Sequence, residues 1–294
     1  MSIAIIINPI SGGARPDAAR ARAERAAAVT ATRDELAEVF VTERPGHARE
    51  LAKAAVARHA RLVVAWGGDG TINEVASALA FEDVPLGIMP SGSGNGLARE
   101  LGIDPRPEQA LVDALGARPR PMDIGELDGH PFVNIAGVGF DAYVAARFNG
   151  AGNRRRGLAG YASIAARALI SYAPATYSIT LPDEQIRARA ILVNVANSAQ
   201  FGNDARIAPG AVVDDGLLDL VVVAEKSRLS TLWNLSRMFT GTVGRTPGYT
   251  HRPITQATIE CDRPMVFHVD GETFEGGTRL RARVHPGALQ IAVR

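Results

Sequence analysis

Asp69 stands among three glycines in the string Ala65-Trp66-Gly67-Gly68-Asp69-Gly70-Thr71-Ile72-Asn73-Glu74, where an apolar run gives way to a helical pattern. Glycines at such a junction let the backbone approach a ligand closely and take positive φ. The unpaired N–H groups of the helix start then face an anion, and the helix dipole adds attraction. A carboxylate there repels phosphate, so Asp69 implies a divalent cation that neutralises both, or a hydroxyl that it orients. One such turn would equally serve as an ordinary βα connection with Thr71 as helix N-cap. A second loop changes that balance. Pro90-Ser91-Gly92-Ser93-Gly94-Asn95-Gly96-Leu97-Ala98 again follows an apolar run and opens a helix, and Asn8-Pro9-Ile10-Ser11-Gly12-Gly13 ends the first run. Three polar, glycine-containing loops on one sheet edge describe the crevice where open α/β sheets bind ligands. Neither long loop is G-x-G-x-x-G, and no G-x-x-x-x-G-K-[ST] string exists; Lys53 and Lys226 are the only lysines. Dinucleotide and lysine-bearing phosphate loops are thereby set aside. His59, His130, His251, His268 and His285 lack metal-ligand spacing, so a zinc site is not expected, while His47 at a helix start could reach phosphate or lie on the surface.

The elements that must hold these loops follow from periodicity. Ile3–Ile7, 39–41, 62–65 and 86–88 predict strands, and 16–29, 46–59, 71–79, 95–101 and 107–115 predict helices between them. Arg20, Arg22, Glu24 and Arg25 take polar positions on the first helix, and Trp66 is expected to pack between sheet and helix. Such alternation requires a parallel sheet covered on both faces. After Pro119-Arg120-Pro121 the pattern changes to strands and turns, at 125–127, 131–135, 177–181, 190–196, 217–223, 255–261, 265–269 and 280–284, with helices at 158–170 and 229–239. The fold class is α/β: an N-terminal three-layer domain with a parallel sheet, then an antiparallel β-sandwich, joined near residue 122.

Composition narrows the function. With 46% hydrophobic and 21% charged residues over 294 positions, the chain is an ordinary globular one of two domains. A net charge of +1 gives no steering toward nucleic acid. The single cysteine, Cys261, excludes an internal disulfide and is expected buried in a strand. No apolar run is long enough to span a membrane and no leader pattern opens the sequence, so a cytoplasmic location is expected.

Asn8-Pro9-Ile10-Ser11-Gly12, Thr42 through Gly46-His47-Ala48, the 67–74 string and Pro90–Asn95 together resemble the diacylglycerol kinase catalytic family, which includes sphingosine kinases and bacterial lipid kinases. Asp214-Asp215-Gly216-Leu217-Leu218-Asp219 and Asp270-Gly271-Glu272 match as well. The glycine–aspartate loop is shared with NAD kinases and phosphofructokinases. Its combination with the two later segments marks the lipid-kinase branch.

The resemblance implies an ATP-binding domain over 1–122 and a lipid and magnesium domain over 123–294. It implies transfer of the γ-phosphoryl group of ATP to a hydroxyl of diacylglycerol, a sphingoid base or a related lipid. Carried over, Asn8, Ser11, Gly12, Thr42, Gly67, Gly68, Asp69, Gly70, Thr71, Asn73 and Ser93 hold the nucleotide. Asp215 organises a structural Mg²⁺ site with backbone carbonyls of Val212 and Leu217, a hard-oxygen set that suits this ion. Glu272 takes the position of proton acceptor, with Asp270 close behind and Asp69 a competitor. Gly96 stands where many bacterial members carry an acidic residue that shares a water-mediated network with the aspartate matched by Asp123. The implied partner is a lipid at a membrane surface, met transiently; no stable protein partner is implied and a homo-oligomer is left open. Arg154-Arg155-Arg156 could attract an anionic surface or form a solvated loop, and the apolar face of the following helix reads as core or as membrane contact. Alternative readings are an NAD kinase-like enzyme of the superfamily and a non-catalytic lipid-binding regulatory protein.

Overall fold

A computed structural model describes residues 2–13, 18–150, 167–168, 171–202, 205–226, 237–238 and 240–294. In the first unit β1 (Ile3–Ile7), β2 (Ala37–Val41), β3 (Leu62–Gly67) and β4 (Leu86–Pro90) pair in parallel in the order β2-β1-β3-β4. They alternate with α1 (Ala18–Ala31), α2 (His47–Ala57), α3 (Asp69–Leu79), α4 (Gly96–Glu100) and α5 (Pro107–Gly116). Ile3, Ile5 and Ile7 pack with Trp66, Ala26 of α1 and Leu111 of α5, while α2 and α3 lie on the other side of the strands. With both faces covered, all five residues of β1 are buried and no polar alternation survives in it. The strand order reverses between β1 and β3, so the loops after these strands open at the switch point of the sheet.

The second unit contains β5 (Arg120–Leu127), β6 (His130–Phe132), β7 (Ile135–Gly139), α6 (Phe140–Gly150), β8 (Ala175–Thr180), β9 (Gln185–Ala196), β10 (Gln200–Gly202), β11 (Ala205–Arg206), β12 (Leu218–Ala224), β13 (Tyr249–Ile254), β14 (Gln256–Cys261), β15 (Val266–Val269), β16 (Glu272–Glu275) and β17 (Arg279–Ile291). Its antiparallel order is β16-β15-β7-β9-β8-β14-β17, with β12 and then β13 added on β9, and β5 on β17. β9 alternates between exposed and half-buried residues at its start, and from Ala190 to Ala196 every residue is buried. Phe132, Val193, Leu220, Ile259, Phe267 and Leu280 anchor the core. A side chain at Gly125 would collide with the Phe132 ring, which accounts for that glycine inside β5.

Compact units divide at Met122/Asp123, but residues 287–294 belong to the first unit rather than to the second, where the sequence pattern had put them. Pro286 and a Gly287 with φ +60° look like a strand end, yet β17 runs through them. Ile291 pairs in parallel with Leu86, and the Ala292 N–H donates to the Leu86 carbonyl at 2.8 Å. The sequence pattern shows none of β10, β11, β13, α6 and β16. α6 is buried at Phe140, Ala142, Val144 and Ala145, too far around its circumference to show one apolar stripe. β16 is mostly polar and is created by the tight turn Asp270-Gly271, whose φ values are +46° and +88°. Cys261 is half-buried at the end of β14 rather than buried within it. The expected helices at 158–170 and 229–239, Arg154–Arg156 and Trp233 lie outside the described residues, except that Arg167 and Ala168 are helical and Arg237 and Met238 form a turn.

Glu126 of β5 accepts hydrogen bonds from Arg283 Nε at 3.0 Å and Nη2 at 2.9 Å, and lies 3.0 Å from His285 Nε2, both on β17. Burial pushes its carboxyl upward, but the hydrogen bonds and charges of Arg283 and His285 outweigh this and hold it below the usual range. A carboxyl lowered by folding adds stability above its unfolded pKa, and that increment is lost as pH falls through the folded value. Glu126→Gln should therefore cost roughly 1 kcal/mol or less at neutral pH, given the half-solvated arginine. Thermal melts taken from neutral to strongly acid pH should show the two proteins converging; a gap independent of pH would contradict the pairing.

Candidate active site

The loops after β1, β3 and β4 are bound to one another. Asn8 Nδ2 donates to Thr71 Oγ1 at 2.9 Å, and the Ser11 and Ser91 hydroxyls lie 2.7 Å apart. A Cβ on Gly92 would come within 2.6 Å of the Gly68 Cα, and one on Gly12 would strike the Ser91 carbonyl, so the backbones meet only because these residues are glycine. Gly67 has no room for a side chain beside Thr71, whereas Gly70 is open to solvent. Asn95 closes the third loop in the left-handed conformation, φ 52°, with its Oδ1 accepting the Gly92 N–H at 2.7 Å. Ser93 is exposed at the tip of this loop, and Thr42, at the end of β2, donates its N–H to the Ile7 carbonyl at 2.9 Å.

Asp69 turns its carboxylate onto backbone amides of the neighbouring loop. Its Oδ2 accepts the Asn95 N–H at 2.9 Å and its Oδ1 the Gly96 N–H at 2.6 Å, so it caps the start of α4 from the neighbouring loop. Glu74 acts in the same way on α2, taking the N–H groups of Gly46 and Ala48 at 2.9 and 3.0 Å. The helix begins at Asp69, so Thr71 is not its cap; the Thr71 hydroxyl serves Asn8 instead. Asn73 is buried in α3 and accepts from the Ser77 hydroxyl at 3.4 Å, while His47 Nδ1 accepts the Glu43 N–H at 3.1 Å. Arg22, placed by the sequence pattern on a polar face, is 8% exposed and donates to the Asn8 carbonyl, the Ser11 carbonyl and the Ser11 hydroxyl. An alanine-rich helix with small neighbours hides such a residue from any periodicity argument.

In the second unit the acidic residues divide by task. Asp270 Oδ1 accepts the N–H groups of Asn134 and Ile135 at 3.0 and 2.9 Å, and Oδ2 accepts that of Val133 at 2.9 Å. This carboxylate holds the start of β7 against the turn that launches β16. Glu272 begins β16, is exposed, and engages no side chain or amide among the described residues. Asp123, 2% exposed, accepts the Gly216 N–H at 2.6 Å and donates its own N–H to the Val213 carbonyl at 2.7 Å, so it anchors the 212–217 loop. Val212 and Asp215 are exposed and Leu217 is half-buried on that loop; Asp215 Oδ1 accepts the Leu217 N–H at 3.0 Å. Among the described residues no three His, Cys, Asp or Glu side chains gather as a metal cluster. Sequence reasoning also missed a buried pair, His268 Nε2 and Asp141 Oδ2 at 2.9 Å, which ties β15 to α6; residues 127 apart give no sequence signal of contact.

Asp69→Asn should leave one of the Asn95 and Gly96 amides facing an NH₂ group, at a cost of about 1–3 kcal/mol. Hydrogen exchange at these amides should quicken while β1 and β3 amides keep their protection; unchanged exchange would show that the cap is dispensable.

Residues 2–127 match the family described as the diacylglycerol kinase catalytic domain, and residues 134–293 match the YegS C-terminal NAD kinase beta sandwich-like domain. A Pseudomonas aeruginosa (strain PAO1) protein named "Probable lipid kinase YegS-like" is 33% identical over 270 residues, which is 90% of this chain and 88% of that protein. One of the same name from Pseudomonas fluorescens (strain Pf-5) is 31% identical over 257 residues, 86% of this chain and 84% of the relative. Among solved structures, a diacylglycerol kinase from Bacillus anthracis str. Sterne covers 100% of this chain and 97% of its own with a TM-score of 0.74 at 19% identity. A further structure from that organism reaches 0.81 at 20% identity over 100% of this chain and 95% of that one; at these identities the likeness concerns the fold alone. With both segments matched in order and relatives aligned over nearly its whole length, the chain belongs to the YegS-like lipid kinase family, built on a diacylglycerol kinase catalytic domain and a YegS-type β-sandwich.

Proposed function

We propose that this protein transfers the γ-phosphoryl group of ATP to a hydroxyl of diacylglycerol, a sphingoid base or a related membrane lipid. The observation that carries this reading is the interlocked set of three glycine loops at the switch point of the parallel sheet, in a chain whose family uses ATP. Asn8, Ser11, Gly12, Thr42, the 67–73 segment and Ser93 would line the nucleotide. Glycine backbone and helix starts supply N–H donors there without needing a lysine.

Glu272 would accept the proton of the lipid hydroxyl as its oxygen bonds to the γ-phosphorus and the bond to the ADP oxygen breaks. Among Glu272, Asp270 and Asp69 it is the only carboxylate not already tied to backbone amides. Because the transition state of phosphoryl transfer is loose, alignment matters more than base strength. The 212–217 loop fits Mg²⁺: Asp215 is exposed and engaged by a single amide, and the remaining ligands would be the carbonyls of Val212 and Leu217 and water. Bound there, the ion would supply a hard cationic centre that fixes this loop beside Asp123.

No helix among the described residues is long and apolar enough to cross a membrane. The proposed contact with the lipid surface is peripheral and transient. The test incubates the protein with γ-labelled ATP, Mg²⁺ and mixed micelles of diacylglycerol, sphingosine, ceramide and monoacylglycerol, with NAD in a parallel tube. Label should enter a lipid, and Glu272→Gln should lower kcat roughly a hundredfold or more with little change in ATP affinity. Label in NADP alone would move the chain to the neighbouring activity. Nucleotide binding with no transfer to any acceptor would favour a lipid-binding regulator. Full turnover by Glu272→Gln would remove it as the base.

A further inference from the structure

Among the described residues Arg22 is the only arginine or lysine that is buried. Its guanidinium donates to the Asn8 carbonyl at 2.6 Å, to the Ser11 hydroxyl at 2.8 Å and to the Ser11 carbonyl at 3.1 Å, and lies 5.8 Å from the centre of the Trp66 ring. All of these partners are neutral. Its helix neighbours are matched differently: Arg20 pairs with Glu24 at 2.9 Å and Arg25 with Glu108 at 3.1 Å, whereas no carboxylate among the described residues meets Arg22. Burial, and then the nearby charge of Arg25, both pull Arg22 below the usual guanidinium pKa. A buried charge that lacks a counter-charge is costly, and folds keep one where a ligand or partner completes it.

The place of Arg22 says which counter-charge would complete it. Every acceptor it uses belongs to the loop after β1, at the switch point, and the Ser11 hydroxyl passes the contact on to Ser91 in the loop after β4. The only two lysines, Lys53 and Lys226, lie outside these loops. We propose that Arg22 is a positioning residue for the phosphate tail of the nucleotide: it holds the Asn8–Ser11 turn from beneath and supplies the positive charge that a loop lysine supplies elsewhere, without touching the ligand. This rests on the nucleotide reading given above. The incoming triphosphate is the counter-charge, so Arg22 should favour ATP through its phosphates and be indifferent to the nucleoside.

The test is calorimetric titration of the full chain with ATP and, separately, with adenosine. Arg22→Gln and Arg22→Met remove the charge, the latter keeping bulk over Trp66, and Arg22→Lys retains it. The charge-free forms should bind ATP roughly tenfold or more weakly, with adenosine affinity unchanged, and Arg22→Lys should recover most of the loss. Parallel loss of ATP and adenosine affinity, or loss of neither, would make Arg22 a residue of the fold only. Wild-type protein that binds neither ligand would overturn the nucleotide reading itself, and this assignment with it. Should neither charge-free form fold, melting of the wild type and Arg22→Lys is read with inorganic tripolyphosphate. Stabilisation of both is required, and its absence overturns the proposal.

Discussion

Two amides at the start of α4, those of Asn95 and Gly96, end on one carboxylate that belongs to the preceding loop. Asp69 is thus a cap supplied from outside the helix it caps, and it makes the loops after β3 and β4 a single body. The bare backbones of Gly68 and Gly92 can lie against each other only where both side chains are absent. Asn8 and Ser11 add the loop after β1 through the hydroxyls of Thr71 and Ser91. An edge built this way is held by its own contacts, so on the proposed function its donors would need no reorganisation when charge develops on a phosphoryl group. Each oxygen of Asp69 faces an amide hydrogen, which gives an acid in a glycine loop a structural task.

The second unit applies the same economy to different ends. Asp123 and Asp270 are both turned onto backbone amides, one organising the 212–217 loop and the other the turn before β16. Glu272 is left facing solvent at the first residue of a short strand whose register is set by the tight turn before it. Adjacent acids in one motif are therefore placed differently: Asp270 is bound to backbone amides, and Glu272 is exposed on the strand that follows. Asp219, from the other acidic motif, is buried and engages His251, and burial raises its carboxyl despite that partner.

Much of this could be read in the residues alone, and the failures have physical causes. The buried strands β1, β3 and β4 carry continuous apolar runs bounded by glycine or proline, and the order of elements dictated a parallel sheet with its loops on one edge. The three loops were visible for the same reason. What could not be read were roles set by contacts distant in sequence. Whether a carboxylate is free or capped depends on amides 26 or 136 residues away, as with Asp69 and Asp270. α6 escaped because its buried residues Phe140, Ala142, Val144 and Ala145 do not line up as one stripe, and Arg22 because alanine neighbours make no stripe against which burial would register.

Residues 287–294 close the open side of β4, the strand that delivers the third loop, although they follow the whole second unit in sequence. The first unit is therefore discontinuous in sequence. On the ribosome its sheet must wait, with Leu86 lacking its Ile291 neighbour, until the whole β-rich unit has been synthesised. A fragment cut at Met122 would expose that strand edge and the apolar surface that Ala292 covers, which invites pairing between fragments. The shortest piece that could fold as the natural first unit must carry residues 287–294 back to it, through a linker in place of 123–286.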